Sequence, residues 1–244
     1  MRIALLANGS RGDAQPLVVL GDELRHRGHQ VVLGVSPNLV DFGERAGLTT
    51  YPLGPDSQQF FESPDGQRWL AAGDARALTQ ALGKIVHDNA ALLDADTLRV
   101  CAAADLIVTG SLSEHRAACV AESRGIPLVC LHYAPMRPTG AYPNMFISTE
   151  RFPQRRNLAT HSLFQRMYWR SMAPDINKFR AELGLAPASA DGDPVGRRGH
   201  ARIAGLQLCI GTGPHRLPGE SADHRFPGAT AGLTAAAGRI ARRP

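Results

Sequence analysis

Ile3-Ala4-Leu5-Leu6-Ala7 runs straight into Asn8-Gly9-Ser10-Arg11-Gly12-Asp13-Ala14-Gln15-Pro16, after which Leu17, Val18, Leu20 and Leu24 recur at helical spacing up to Gly28-His29. This reads as a strand, a glycine-rich turn and a helix. An unbroken apolar run is what a strand covered on both faces requires, as in a parallel sheet. A loop at the carboxyl end of such a strand lies on the rim where open α/β sheets hold ligands. Asp13, at the helix start, suits two compatible roles. It can cap the first-turn N–H groups, and a carboxylate aimed into a cleft can take a proton from an attacking hydroxyl. Pro16 suits the opening turn of a helix.

The same rhythm repeats outward. Gln30–Val35 is a second β-branched run, a short helix opens at Pro37-Asn38 and closes at Ala46-Gly47, and Thr49–Leu53 is a third strand. A helical pattern runs from about residue 75 to 103 through Leu78, Leu82, Ile85, Val86 and Leu93. Strands follow at 105–109 and 126–133, with a helix between them that ends at Gly125. Residues 134–153 form a proline- and aromatic-containing loop of a length that compact domains usually reserve for function. Residues 155–185 are helical again, divided at Pro174. Repeated strand–helix units with right-handed crossovers predict an α/β fold, a Rossmann-like parallel sheet with helices on both faces, over residues 1–187. From 188 to 244 there is no lysine, a single aromatic residue (Phe226) and no sustained period; this segment is expected to be a low-order, frameshifted tail.

The 244 residues are 43% hydrophobic, enough for a real core. No run of eighteen apolar residues occurs and the chain opens on a strand, so a cytoplasmic location is expected. Cys101, Cys119, Cys130 and Cys209 are too widely spaced for a zinc motif or a disulfide framework; no metal is expected. The net charge of +5 is almost all arginine, Lys84 and Lys178 being the only lysines, and reads as compositional rather than as a nucleic-acid surface.

The first loop lacks both the G-x-G-x-x-G of a dinucleotide turn and the G-x-x-x-x-G-K-[ST] of a P-loop. Further candidates sit at later strand ends. Glu114 and His115 open a helix, and His132 and Tyr133 close a strand; each also has an ordinary role as a capping acid, a surface histidine or a half-buried ring. His26 and His29 flank a helix C-terminus and are assigned to structure. Arg155, Arg156, Arg166 and Arg170 interleave with Leu158, Leu163, Phe164, Met167, Tyr168 and Trp169, a pattern that either packs as an ordinary amphipathic helix or lies peripherally on an anionic inner membrane face.

Together, the strand–GSRGDAQP–helix unit, "LRHRGHQVVLGVSPNLVDFGERAGL" and "ADLIVTGSLSEHRAACVAESRGIPLVCLHYAPMRPTG" resemble the N-terminal domain of GT-B glycosyltransferases over residues 1–187. The resemblance is to sterol- and glycopeptide-type UDP-glycosyltransferases, whose amino-terminal half is grouped with the family 28 N-terminal domain. It implies an acceptor-binding domain, with Asp13 as the base for inverting transfer of a hexose from a UDP- or TDP-sugar to a hydroxyl of a lipid, sterol or natural product. It further implies that Ser10, Arg11 and Gly12 line the reaction centre and that Glu114, His132, Tyr133 and Met136 lie near the acceptor. The nucleotide-sugar is a co-substrate, and no cofactor is implied.

Such enzymes carry a second, nucleotide-sugar domain that has no counterpart here; Cys209-Ile210-Gly211-Thr212-Gly213-Pro214 only superficially resembles a donor loop. Positioning of the anomeric carbon and stabilisation of the leaving diphosphate belong largely to that domain. The chain is therefore expected to be truncated and inactive alone, needing a separate donor-domain polypeptide. The alternative is a non-catalytic module that binds an acceptor or a partner.

Overall fold

The computed structural model describes residues 1–64, 66–68, 83–132 and 138–188. Five parallel strands form one sheet in the order β3-β2-β1-β4-β5: β1 (Arg2–Ala7), β2 (Gln30–Val35), β3 (Thr49–Pro52), β4 (Leu106–Thr109) and β5 (Leu128–Cys130). The expected Rossmann-like parallel sheet is present. Its chain order reverses between β1 and β4, so the crevice beyond their carboxyl ends is the switch point at which such sheets take ligands.

Alternation along β1 explains its composition. Ile3, Leu5 and Ala7 pack with α1 (Arg11–His26), while Ala4 and Leu6 face the opposite layer. That second layer contains α4 (Ala90–Val100), α5 (Glu114–Arg124) and α6 (Gln154–Glu182). The smaller helices α2 (Val40–Arg45) and α3 (Ser57–Glu62) follow β2 and β3. With both faces covered, the central strand positions Ile3–Ala7 and Leu106–Val108 are apolar and buried.

α1 starts a turn and a half earlier than its apolar pattern suggests. Pro16 is the sixth residue of the helix rather than part of its opening turn; the carbonyl deprived of its N–H belongs to Gly12, which is exposed to water. The helix closes in a Schellman motif, with Gly28 N–H donating to Arg25 O (2.9 Å) and His29 N–H to Leu24 O (3.1 Å). Gly28 adopts the left-handed φ of 82° that this motif needs. His26 has the structural place expected of it, its Nδ1 lying 2.9 Å from Asp22 O.

Three boundaries differ from expectation. The long helical pattern is interrupted at Asn89 and α4 ends at Val100, with Leu78 and Leu82 outside the described residues. β5 spans three residues rather than eight, because Pro127 has no N–H and the ladder beyond is a single bond from Leu131 N–H to Thr109 O (2.8 Å). α6 is continuous through Pro174, whose missing N–H frees only the carbonyl of exposed Arg170. The 189–244 segment, Cys209 included, lies outside the described residues. Cys101, Cys119 and Cys130 are buried and stand in no disulfide among the described residues, and burial pushes Cys101 up to about 12 and Cys119 up to about 11.

Two buried ion pairs tie the second layer together. Arg180 grips Glu122 of α5 with two N–H groups (2.8 and 3.1 Å), and Arg116 Nε donates to Asp94 Oδ1 of α4 (2.7 Å). The 138–153 loop is pinned to α6 by polar side chains: Asn144 N–H donates to Thr160 Oγ1 (2.8 Å), and Asn157 Nδ2 to Gly140 O (2.9 Å).

Candidate functional site

Two loops meet at the switch point. The first leaves β1 through Asn8-Gly9 into Ser10, the N-cap of α1, and Asp13 occupies the third helical position rather than the cap itself. The Asp13 carboxylate reaches back as the acidic half of a capping box: its Oδ2 accepts from Ser10 N–H (2.7 Å) and Ser10 Oγ–H (2.9 Å). Two hydrogen bonds to one oxygen fix the carboxylate's rotamer in the first turn of a sixteen-residue helix.

Gly9 is required for this approach. Its φ is 124°, and a Cβ there would lie 2.4 Å from Asp13 Oδ2 and 3.0 Å from Leu112 Cδ1. Gly9→Ala is expected to cost about 1–3 kcal/mol from the dihedral alone and to displace the carboxylate. Chemical denaturation checks the first effect. An unchanged Asp13 environment in a structure of the variant would contradict the second.

The second loop leaves β4 through Gly110, whose N–H donates to Leu6 O (2.9 Å), and a single 3-10 turn, Ser111–Ser113, leads into α5. Leu112 projects against the Gly9 loop, which brings the two turns together. Glu114 is the first residue of α5, and its Oε2 is 2.6 Å from Nε2 of buried His132, just past β5. Burial opposes the Glu114 charge. The hydrogen bond and field of His132, the field of His115 and a hydrogen bond from Cys130 outweigh it and hold the carboxyl below its usual range. Ligand atoms of Glu114, Cys130 and His132 all lie within 4.8 Å of one another, a donor set chemically able to hold a metal ion, and hydrogen bonds of His132 and Cys130 to Glu114 link the three side chains.

Because the folded Glu114 pKa lies below its unfolded value, its contribution to stability is complete above the ordinary value of 4.5 and is lost as pH falls through the lower folded one. Glu114→Gln is thus expected to flatten the acid limb of the stability curve below pH 4.5. Denaturant melts across that range check it; an unaltered slope would contradict the pairing.

His115 is no surface histidine. It is half-buried and stacks on Trp169 of α6 (centroids 5.6 Å apart, planes at 26°), with Tyr168 at 5.7 Å. Phe146 from the pinned loop, Phe164 and Tyr168 continue the column at 4.9 and 5.7 Å. The column joins the Glu114 region to the 138–153 loop.

Among the residues expected at the site, Ser10 and Asp13 are bonded together, Glu114 and His132 are bonded together, and the Gly9–Leu112 contact joins the loops that carry the two pairs. Gly12 is exposed on the first turn of α1. Arg11 turns toward the β2 side, its guanidinium 5.1 Å from the centre of the Phe42 ring on α2. Tyr133 and Met136 lie outside the described residues. Sequence reasoning missed Leu112, Cys130 and Arg116. Cys130 could have been found, since it stands two residues before His132 at the end of a strand and so shares its side.

Comparison with known proteins identifies the family. The family model described as the glycosyltransferase family 28 N-terminal domain matches residues 3–143. An uncharacterized glycosyltransferase of Mycobacterium tuberculosis is 36% identical over 202 residues, covering 81% of this chain and 46% of that protein. The O-mycaminosyltylonolide 6-deoxyallosyltransferase of Streptomyces fradiae is 34% identical over 212 residues, covering 83% of this chain and 48% of that protein. The chain thus spans just under half the length of these curated relatives. Among solved structures, the Streptomyces sp. SF2575 glycosyltransferase SsfS6 is 23% identical, with a TM-score of 0.45, covering 77% of this chain and 47% of that one. With most of the sheet, α1 and both switch-point loops inside the matched region, the chain belongs to the family of glycosyltransferase family 28 N-terminal domains.

Proposed function

We propose that this chain is the acceptor-binding half of an inverting glycosyltransferase, with Asp13 as the general base. The observation that carries the reading is the Asp13 carboxylate held by Ser10 at the switch point, beside the β4–α5 loop. In the reaction, Asp13 takes the proton of an acceptor hydroxyl, and that oxygen forms the bond to the anomeric carbon. The bond from that carbon to the diphosphate breaks on the opposite face, and the nucleoside diphosphate departs with its electron pair. Ser10 positions the base, while Glu114 and His132 offer a second polar contact to the acceptor. The donor is a UDP- or TDP-sugar bound by a separate domain or polypeptide, which also stabilises the leaving diphosphate. A hydroxylated apolar acceptor, such as a polyketide, sterol or lipid, suits the aromatic column behind Glu114; the relative named for O-mycaminosyltylonolide supports that class.

The test is to incubate the purified chain with UDP- and TDP-sugars and a panel of such acceptors, alone and with a donor-binding polypeptide from a relative. Binding of an acceptor by the chain, with transfer only in the mixture, is expected. Acceptor binding with no transfer in any combination would favour a non-catalytic binding module.

A further inference from the structure

We propose that the outer face of α6 docks on an anionic lipid surface. Between residues 151 and 174 the chain carries Arg151, Arg155, Arg156, Arg166 and Arg170 and no aspartate or glutamate. All five arginines are exposed, and among the described residues none of them makes an ion pair. Some arginines elsewhere are paired with acids: Arg25 and the C-cap Arg27 face Asp22 and Glu23 of α1 at 2.9 and 2.7 Å, and Arg99 faces Asp96 at 2.6 Å. A helix that leaves its arginines without acids at i±3 or i±4 has a face of one sign.

The periodicity is equally specific. Arg156, Leu163, Met167 and Arg170 are spaced by seven, four and three residues, so they lie on one stripe of the helix. Phe164, Trp169, Met172 and Ile176 are buried on its other side. Leu163 and Met167 are 48% and 47% exposed, and Met145 on the adjoining loop is 57% exposed. The aromatic residues of the sequence pattern are thus spent inward, Trp169 and Phe164 buried and Tyr168 half-buried, and flexible aliphatic side chains face out between the guanidinium groups. Cationic side chains alternating with exposed Leu and Met match a surface of phosphate headgroups over acyl chains. The match is peripheral, since no helix among the described residues is long and apolar enough to cross a membrane. The proposal stands apart from the transfer chemistry, which uses Asp13 of α1, Glu114 of α5 and the inward-facing aromatic residues of α6.

The test is co-sedimentation of the full chain with vesicles of phosphatidylglycerol and phosphatidylcholine in equal parts, and with phosphatidylcholine alone. Binding to the mixed vesicles at low salt, and its loss at about 0.5 M salt, is expected. Each arginine near an anionic surface contributes about a five-fold factor, so the Arg156→Ala/Arg166→Ala/Arg170→Ala variant should partition roughly two orders of magnitude more weakly. Leu163→Ser/Met167→Ser should weaken it further without altering the thermal melt. No binding to mixed vesicles, or equal binding by the triple variant, overturns the proposal. So does a dimer of the wild-type chain that dissociates in the triple variant without any lipid binding, because the face would then be a protein interface.

Discussion

A chain carrying Asp13→Asn is expected to bind acceptor as tightly as the wild type and to support transfer about 10²–10⁴-fold more slowly when a donor-binding partner is supplied. The amide is isosteric, and its oxygen can still accept from Ser10 N–H and Oγ–H, so the turn should keep its shape. What is lost is the ability to take a proton. Asp13→Ala adds a structural effect of about 1 kcal/mol, because the Ser10 N–H loses its partner at the helix start. Acceptor Kd by calorimetry and transfer rate by product formation separate the two contributions. An Asp13→Asn chain that transfers at the wild-type rate would remove Asp13 from the chemistry.

The second large effect is on stability. Arg116 and Asp94 form an ion pair with side chains 4% and 10% exposed, joining α5 to α4. Arg116→Ala strands the carboxylate in the layer between helices and is expected to cost about 3–5 kcal/mol. Burial already pushes the Asp94 pKa upward, the fields of Glu182 and Asp175 add to it, and only Arg116 pulls it back. Without Arg116 the folded pKa rises further above the unfolded one, so Asp94 takes up a proton on folding. The penalty is therefore smallest near pH 4 and grows toward neutrality. Arg116 Nη2 is itself buried without a hydrogen-bond partner among the described residues, so the pair is not fully satisfied even in the wild type. The double variant Arg116→Met/Asp94→Leu should accordingly regain most of the lost stability. Denaturant melts at two pH values check all three statements, and an Arg116→Ala chain within about 1 kcal/mol of wild type at neutral pH would contradict them.

The parallel sheet was legible because its strands are apolar on both faces: Ile3–Ala7, Val31–Val35 and Leu106–Val108 leave little alternative to a two-layered cover. The capping role of Asp13 was legible, but its position was not. The offset between N-cap and third helical residue depends on Ser10 reaching its place, which Gly9's positive φ decides. Sequence alone leaves Glu114 an ordinary role as a capping acid and His132 one as a half-buried ring, and does not pair them. Only the β4–β5 pairing, which places Thr109 opposite Cys130, brings the start of α5 beside the end of β5. The buried pairs Arg116–Asp94 and Arg180–Glu122 span 22 and 58 residues and carry no periodic signal. Likewise, the anchoring of the 138–153 loop depends on Asn157, Thr160 and His161, polar residues buried on the inner face of an otherwise regular amphipathic helix.

Acceptor binding where the β1 and β4 loops meet, as proposed above, is tested by the backbone amide chemical shifts of the chain during titration with a hydroxylated macrolide and a sterol. The predicted result is a cluster of shifts at Gly9, Ser10, Gly12, Gly110, Ser111 and Glu114 with at least one of them. Shifts confined to the amino-terminal end of the strands, at His29, Leu48, Ala104 and Ile126, or no shift with either compound, would contradict it.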